Sequence, residues 1–104
     1  MSNQHDDREC QIVSGLSHMA IRTRGITDSV RYYTEVLGLR EAFRMFQEDG
    51  SLGTVYLYIA PGQYLELFSD GTREGITGPD VIGICHLCLM TKDIRRAYDA
   101  VKAA

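Results

Sequence analysis

Two histidines and a glutamate, His18, His86 and Glu66, stand where their local sequence gives an imidazole or a carboxylate an unusual setting. Glu66 lies in the run YLELF, whose alternation puts Leu65 and Leu67 on one face of a strand and Tyr64, Glu66 and Phe68 on the other. A carboxylate set between two aromatics needs a cation or strong hydrogen bonds, because burying it unpaired is prohibitively costly. His18 lies in GLSHMAIRT and His86 in GICHLCLMT, stretches that align at an offset of 68 residues. Neutral imidazole and carboxylate form a donor set suited to Zn, Ni, Co, Mn or Fe(II). Each residue alone has a plainer reading: a satisfied or half-exposed strand histidine, or a glutamate that faces solvent or pairs with Arg22 or Arg44. Jointly they weigh more, since the histidines are equivalent in a repeat and Glu66 follows His18 by 48 residues.

The elements that must position these groups follow from periodicity. Gly15 to Thr23 alternates as a strand, with Leu16, His18, Ala20 and Arg22 on one face. Ile26, Val30, Tyr33 and Leu37 then fall at helical spacing, with Thr27 or Asp28 as N-cap and Gly38 as terminator. Leu39 to Glu48 and Thr54 to Ile59 read as strands separated by DGSLG, and the tight turn APGQ leads into a strand from Tyr64 to Phe68. The order is βαβββ, after which the chain starts again. Gly15/Gly83, His18/His86, Thr23/Thr91 and Ile26/Ile94 are identical across the repeat, and a second helix capped by Asp93 carries Ile94, Ala97, Tyr98 and Val101 on one face. A pseudo-two-fold axis between the repeats would bring the two imidazoles to one place.

The expected organisation is a polar tail over residues 1–14, a first module over 15–70, a linker over 71–82 and the start of a second module over 83–104. That second module is expected to be incomplete after its first strand and helix, with a longer chain or a partner supplying what would otherwise be an exposed sheet edge.

Composition narrows the field of partners. A length of 104 residues suffices for one modest core, and 44% hydrophobic with 24% charged residues is ordinary for a globular protein. The formal charge of −3 and the lack of a dense Lys/Arg run exclude a phosphate-tracking surface for nucleic acid. No apolar run reaches the ~18–20 residues that span a bilayer, and the polar start MSNQHDDRECQ lacks the apolar core of a signal peptide, so a cytoplasmic location with no membrane partner is expected. Cys10, Cys85 and Cys88 form no disulfide framework and are expected to be buried thiols; in a strand, Cys85 and Cys88 would face opposite sides and could not share a metal.

Taken together, LSHMAIR, SVRYYTEVLGL, YLELF and ICHLCL resemble the vicinal oxygen chelate superfamily, which includes glyoxalase I, methylmalonyl-CoA epimerase, extradiol dioxygenases, and fosfomycin and bleomycin resistance proteins. The motifs are most similar to those of glyoxalase I-like proteins. The resemblance implies an α+β fold of tandem βαβββ modules around a U-shaped cleft. It implies His18, Glu66 and His86 as ligands of one divalent ion, with Zn, Ni, Co or Mn for a glyoxalase-type enzyme and Fe(II) for a dioxygenase. By the same offset a fourth ligand falls near position 134 of a longer chain. The implied chemistry is isomerisation of the lactoylglutathione lyase type through an enediolate, or a related epimerisation, with Glu66 as ligand and candidate base and Arg22 as substrate contact. An Fe(II) extradiol dioxygenase and a metal-free drug-binding protein are the alternatives. The implied partners are a small-molecule substrate and a second copy of the chain, in a homodimer whose active site can be shared. Tyr56, Tyr58, Tyr64 and Phe68 either line the cleft or pack within the sheet.

Overall fold

A computed structural model describes Ile12, Asp80, Ile82 and residues 15–72 and 86–104. Strand β1 (His18–Arg22) leads to helix α1 (Ile26–Arg31), which continues as a π-helical segment, Tyr32–Val36. Three strands follow, β2 (Arg40–Phe46), β3 (Leu52–Ala60) and β4 (Gln63–Phe68), and after the second histidine segment comes helix α2 (Ile94–Ala103). The sheet order is β1-β4-β3-β2, with β1 parallel to β4 and the remaining pairs antiparallel. This is the βαβββ module expected from periodicity.

One face of the sheet carries the core. Val55 and Leu57 on β3 and Leu65 and Leu67 on β4 are fully buried there, and Ile26 of α1 closes over them. Ile21, Val30, Tyr33, Leu39 and Leu52 pack around that cluster. Each buried aliphatic side chain contributes about 1.5–3 kcal/mol relative to exposure, so this small group anchors the helix to the two inner strands.

The start of α1 departs from expectation. The N-cap is Gly25, in extended conformation and without a side-chain cap bond, rather than Thr27 or Asp28. Ile26 has to drop into the core, so the helix begins at that residue; Asp28 then sits in the first turn, where a negative charge complements the helix N-terminus. The other end follows expectation. Gly38, at φ +78°, lets the Leu39 N–H donate to the Tyr33 carbonyl at 3.0 Å and its own N–H donate to Thr34 at 3.1 Å. Each bond reaches one residue further back than in a Schellman motif, in keeping with the wider π-helical turn that Gly38 ends.

The second repeat is built differently from the first. Asp93 caps α2 as expected, accepting from the Arg96 N–H at 3.0 Å. However, Ile94 is 77% exposed whereas its equivalent Ile26 is 8% exposed. Tyr98 and Val101 are exposed too, because among the described residues α2 has no sheet of its own beneath its apolar face. Residues 86–90 form no strand, contrary to the expected opening strand of this unit, of which Gly83 to Cys85 lie outside the described residues. A strand needs a neighbouring backbone to complete its hydrogen bonds, and β1 ends the sheet without pairing to this segment. Cys88 is correspondingly exposed rather than buried. Cys10 and Cys85, like most of the tail and linker, also lie outside the described residues. Among the described residues no helix is long and apolar enough to cross a membrane.

Candidate metal centre

The face of the sheet opposite the core is assembled by strand register. Reading across β1, β4, β3 and β2 gives three rungs: His18, Tyr64, Tyr58 and Arg40; Ala20, Glu66, Tyr56 and Phe43; Arg22, Phe68, Thr54 and Met45. The β1–β4 alignment is locked just beyond the strand ends. Thr23 donates to the Phe68 carbonyl from both its N–H and its hydroxyl at 2.8 Å, and Gly71 donates back to the Thr23 carbonyl at 3.0 Å. A Cβ at Gly71 would lie 2.8 Å from that carbonyl oxygen, so glycine is what permits the close approach.

Glu66 is only 7% exposed although it lies on the open face. Its direct neighbour on β1 is Ala20, whose methyl leaves space, and the His18 imidazole leans diagonally into it. His18 Nε2 lies 3.4 Å from Glu66 Oε1. That separation is longer than a good N–H···O hydrogen bond, usually about 2.7–3.2 Å. It matches two donors facing one ion: a nitrogen and an oxygen each about 2.1 Å from a metal at a tetrahedral angle stand about 3.4 Å apart. The pair therefore fits a divalent ion on the chemistry of its donors and on their spacing.

Both candidate ligands are held by neighbours. The Ser17 hydroxyl lies 3.2 Å from His18 Nδ1; with Nδ1–H donating to it, Nε2 keeps its lone pair for the Glu66 side. Tyr56 faces Glu66 across the β3–β4 pair, and hydrogen bonding toward that carboxylate, with desolvation and then the carboxylate charge, raises the phenol above its usual range. Tyr56 also meets the edge of the His18 ring at 5.5 Å between centroids and stacks on Phe43 at 4.5 Å, with the planes 18° apart. Periodicity alone shows Tyr56 on an alternating strand; the register is what makes it the partner of Glu66.

The other anticipated residues stand apart from this pair. His86 lies in the exposed segment 86–90. Among the described residues, no three His, Cys, Asp or Glu side chains come together in a way that could hold a metal. Arg22 shares the open face, with its Nε 3.1 Å from Asp70 and its guanidinium 5.3 Å from the Phe68 ring centre. Phe43, Ser17 and Arg40 were not anticipated. Ser17 adjoins His18 in sequence and was open to inference, whereas Phe43 and Arg40 reach the site only through the β2–β3 register, which no local pattern states.

Three solved structures share this architecture. Fosfomycin resistance protein FosX from Listeria monocytogenes, solved with Mn(II) and 1S,2S-dihydroxypropylphosphonic acid, superposes with a TM-score of 0.64 at 15% identity, over 88% of this chain and 70% of that one. A second FosX structure from the same organism gives a TM-score of 0.60 at 17% identity, over 88% of this chain and 70% of that one. Lactoylglutathione lyase from Agrobacterium tumefaciens gives 0.53 at 18% identity, over 88% and 69% of the two chains. At such identities the likeness speaks for the fold. No match was found among curated protein sequences. Residues 15–104 match the profile of the Glyoxalase/Bleomycin resistance protein/Dioxygenase superfamily, and with the βαβββ module this establishes that the chain belongs to that superfamily.

Proposed function

We propose that this chain contributes His18 and Glu66 to a single divalent-metal site and works as a glyoxalase-like enzyme, isomerising or epimerising a small substrate with adjacent oxygens. The observation that carries this reading is the 3.4 Å approach of His18 Nε2 to a carboxylate almost excluded from water. Zn, Ni, Co or Mn suits these donors. His86 is the proposed third ligand, delivered when residues 86–90 pair as a strand beside an edge of the sheet. A second copy of the chain, in a homodimer, is the proposed source of the remaining site.

When bound, such an ion supplies electrophilic stabilisation of the oxyanion that develops as a proton leaves the carbon next to a carbonyl. The chain's own side chains divide the other tasks. Glu66 is the candidate base for that proton, and Tyr56, opposite it on β3, is the proposed group that holds the carboxylate in place. Ser17 fixes the imidazole of His18. Arg22, at the far end of β1, is the proposed contact for a distal part of the substrate.

One observation favours a second reading. The stacked Phe43–Tyr56 pair on an open face also suits a metal-free protein that holds a flat ligand. Elemental analysis of the purified protein, followed by a hemithioacetal assay at matched metal loading, separates these readings. Zn, Ni, Co or Mn bound with turnover supports the enzyme. Iron bound with oxygen uptake on a catechol replaces it with a dioxygenase, and ligand binding with no metal leaves the binding protein.

A further inference from the structure

The arginines of β1 and β2 differ in how their charge is used. Arg22 is paired with Asp70, and Arg44 with Glu41 on its own strand. Arg40, at the β2 end of the first rung, has no carboxylate in ion-pair range among the described residues; its guanidinium lies over the Tyr58 ring, 4.9 Å from the centre. A cation held on an aromatic face keeps its N–H donors for another group while its position is restrained. Between Arg40 and the His18–Glu66 pair lies a run of aromatic surface. Tyr58 meets Tyr64 edge-on at 6.0 Å, Tyr64 meets Tyr56 at 6.4 Å, and Phe43, 49% exposed, stacks on Tyr56. An exposed apolar surface of this kind, with a few polar groups at its margins, has the character of a ligand site.

We infer that this face takes an elongated aryl anion: a flat apolar body that lies on Phe43, Tyr56 and Tyr64, with a carboxylate or sulfonate at one end that Arg40 binds. Strands are spaced about 4.8 Å apart. His18 and Arg40 are three strands apart, and Arg40 leans back by one. The anionic group therefore sits about 10 Å from the imidazole, two strand spacings away. Resting on the metal-site reading, this makes the substrate class an aryl anion whose vicinal oxygens lie at the end remote from its charge. Arg40 is its specificity determinant.

The test uses the intact chain and two probes of one shape, naphthalene-2-sulfonate and the neutral 2-naphthylmethanol, with Mn(II) binding measured in parallel. The sulfonate is expected to bind about tenfold more tightly than the alcohol, the worth of one charge-assisted contact at an open site. Arg40→Gln removes that preference while Mn(II) affinity stays unchanged, and Phe43→Ala weakens both probes alike. His18→Ala weakens Mn(II) and leaves the sulfonate preference intact, so failure of the metal reading and failure of this one are told apart. Equal affinity for the two probes, an unchanged preference in Arg40→Gln, or no binding of either probe because another protein surface covers the face overturns the inference.

Discussion

At the scale of single residues the account turns on how a carboxylate comes to be buried on an otherwise open surface. Glu66 is flanked by Tyr56 across the strand pair and faced by His18, and its proximity raises the Tyr56 phenol. Replacing the carboxylate weakens the hydrogen bonding that chiefly raises the phenol and removes the carboxylate charge, leaving only desolvation. In metal-free Glu66→Gln, absorbance titration should show one tyrosine returning toward the usual value of about 10. The sign follows from linkage. A phenol held more tightly protonated in the folded state contributes stability that is fully present below the unfolded value and is lost as pH rises through the folded one, so wild type loses this contribution only in strongly alkaline solution. Much of this pair was legible in the sequence: the alternation in YLELF put Glu66 among aromatics, and the histidine of the first strand was singled out by its repeat. The identity of the phenol was not. The two-residue turn at Pro61 and Gly62 pairs Ala60 with Gln63, which by simple counting sets Glu66 opposite Leu57. An irregularity between Tyr58 and Ala60 shifts the register so that Tyr56 faces Glu66 and Leu57 faces Leu65. Keeping all four core side chains on one face demands such a bulge, though nothing in the residues near the turn announces it.

At the scale of elements, the strands and both helices were legible from periodicity because each has one apolar face. Their ends were less so. The helix start was decided by Ile26 entering the core, a tertiary preference that outweighs a capping side chain worth about 1 kcal/mol. The alignment of β1 with β4 is the element-level feature that places His18 beside Glu66, and Gly71 is its most sensitive point. Gly71→Ala forces a methyl against the Thr23 carbonyl and is expected to cost about 1–3 kcal/mol. Denaturant unfolding measures that loss; metal affinity should fall in the same variant, since the β1 register is disturbed. An unchanged midpoint would show that the parallel pair is secured elsewhere.

For the whole molecule, the contrast between the repeats is the main finding. The first repeat has a core: Leu67 is fully buried, and Leu67→Ala should destabilise by about 2–5 kcal/mol in denaturant unfolding, as for other buried leucines. The second repeat has a helix of the same pattern with its apolar face exposed, and its histidine stands in a segment without strand pairing. The repeat of strand phase, helix onset and histidine is visible in the sequence; the packing of its second half was not legible there, because packing depends on a sheet that the described residues 86–104 do not themselves supply. The central claim, that His18 and Glu66 share one ion, is tested most directly by Mn(II) titration followed by electron paramagnetic resonance in wild type, His18→Ala and Glu66→Gln. One ion per chain in wild type, bound about a hundredfold or more weakly in each variant while the fold is retained, is the predicted result. Equal Mn(II) affinity in all three proteins, or no bound Mn(II) in wild type, would contradict it.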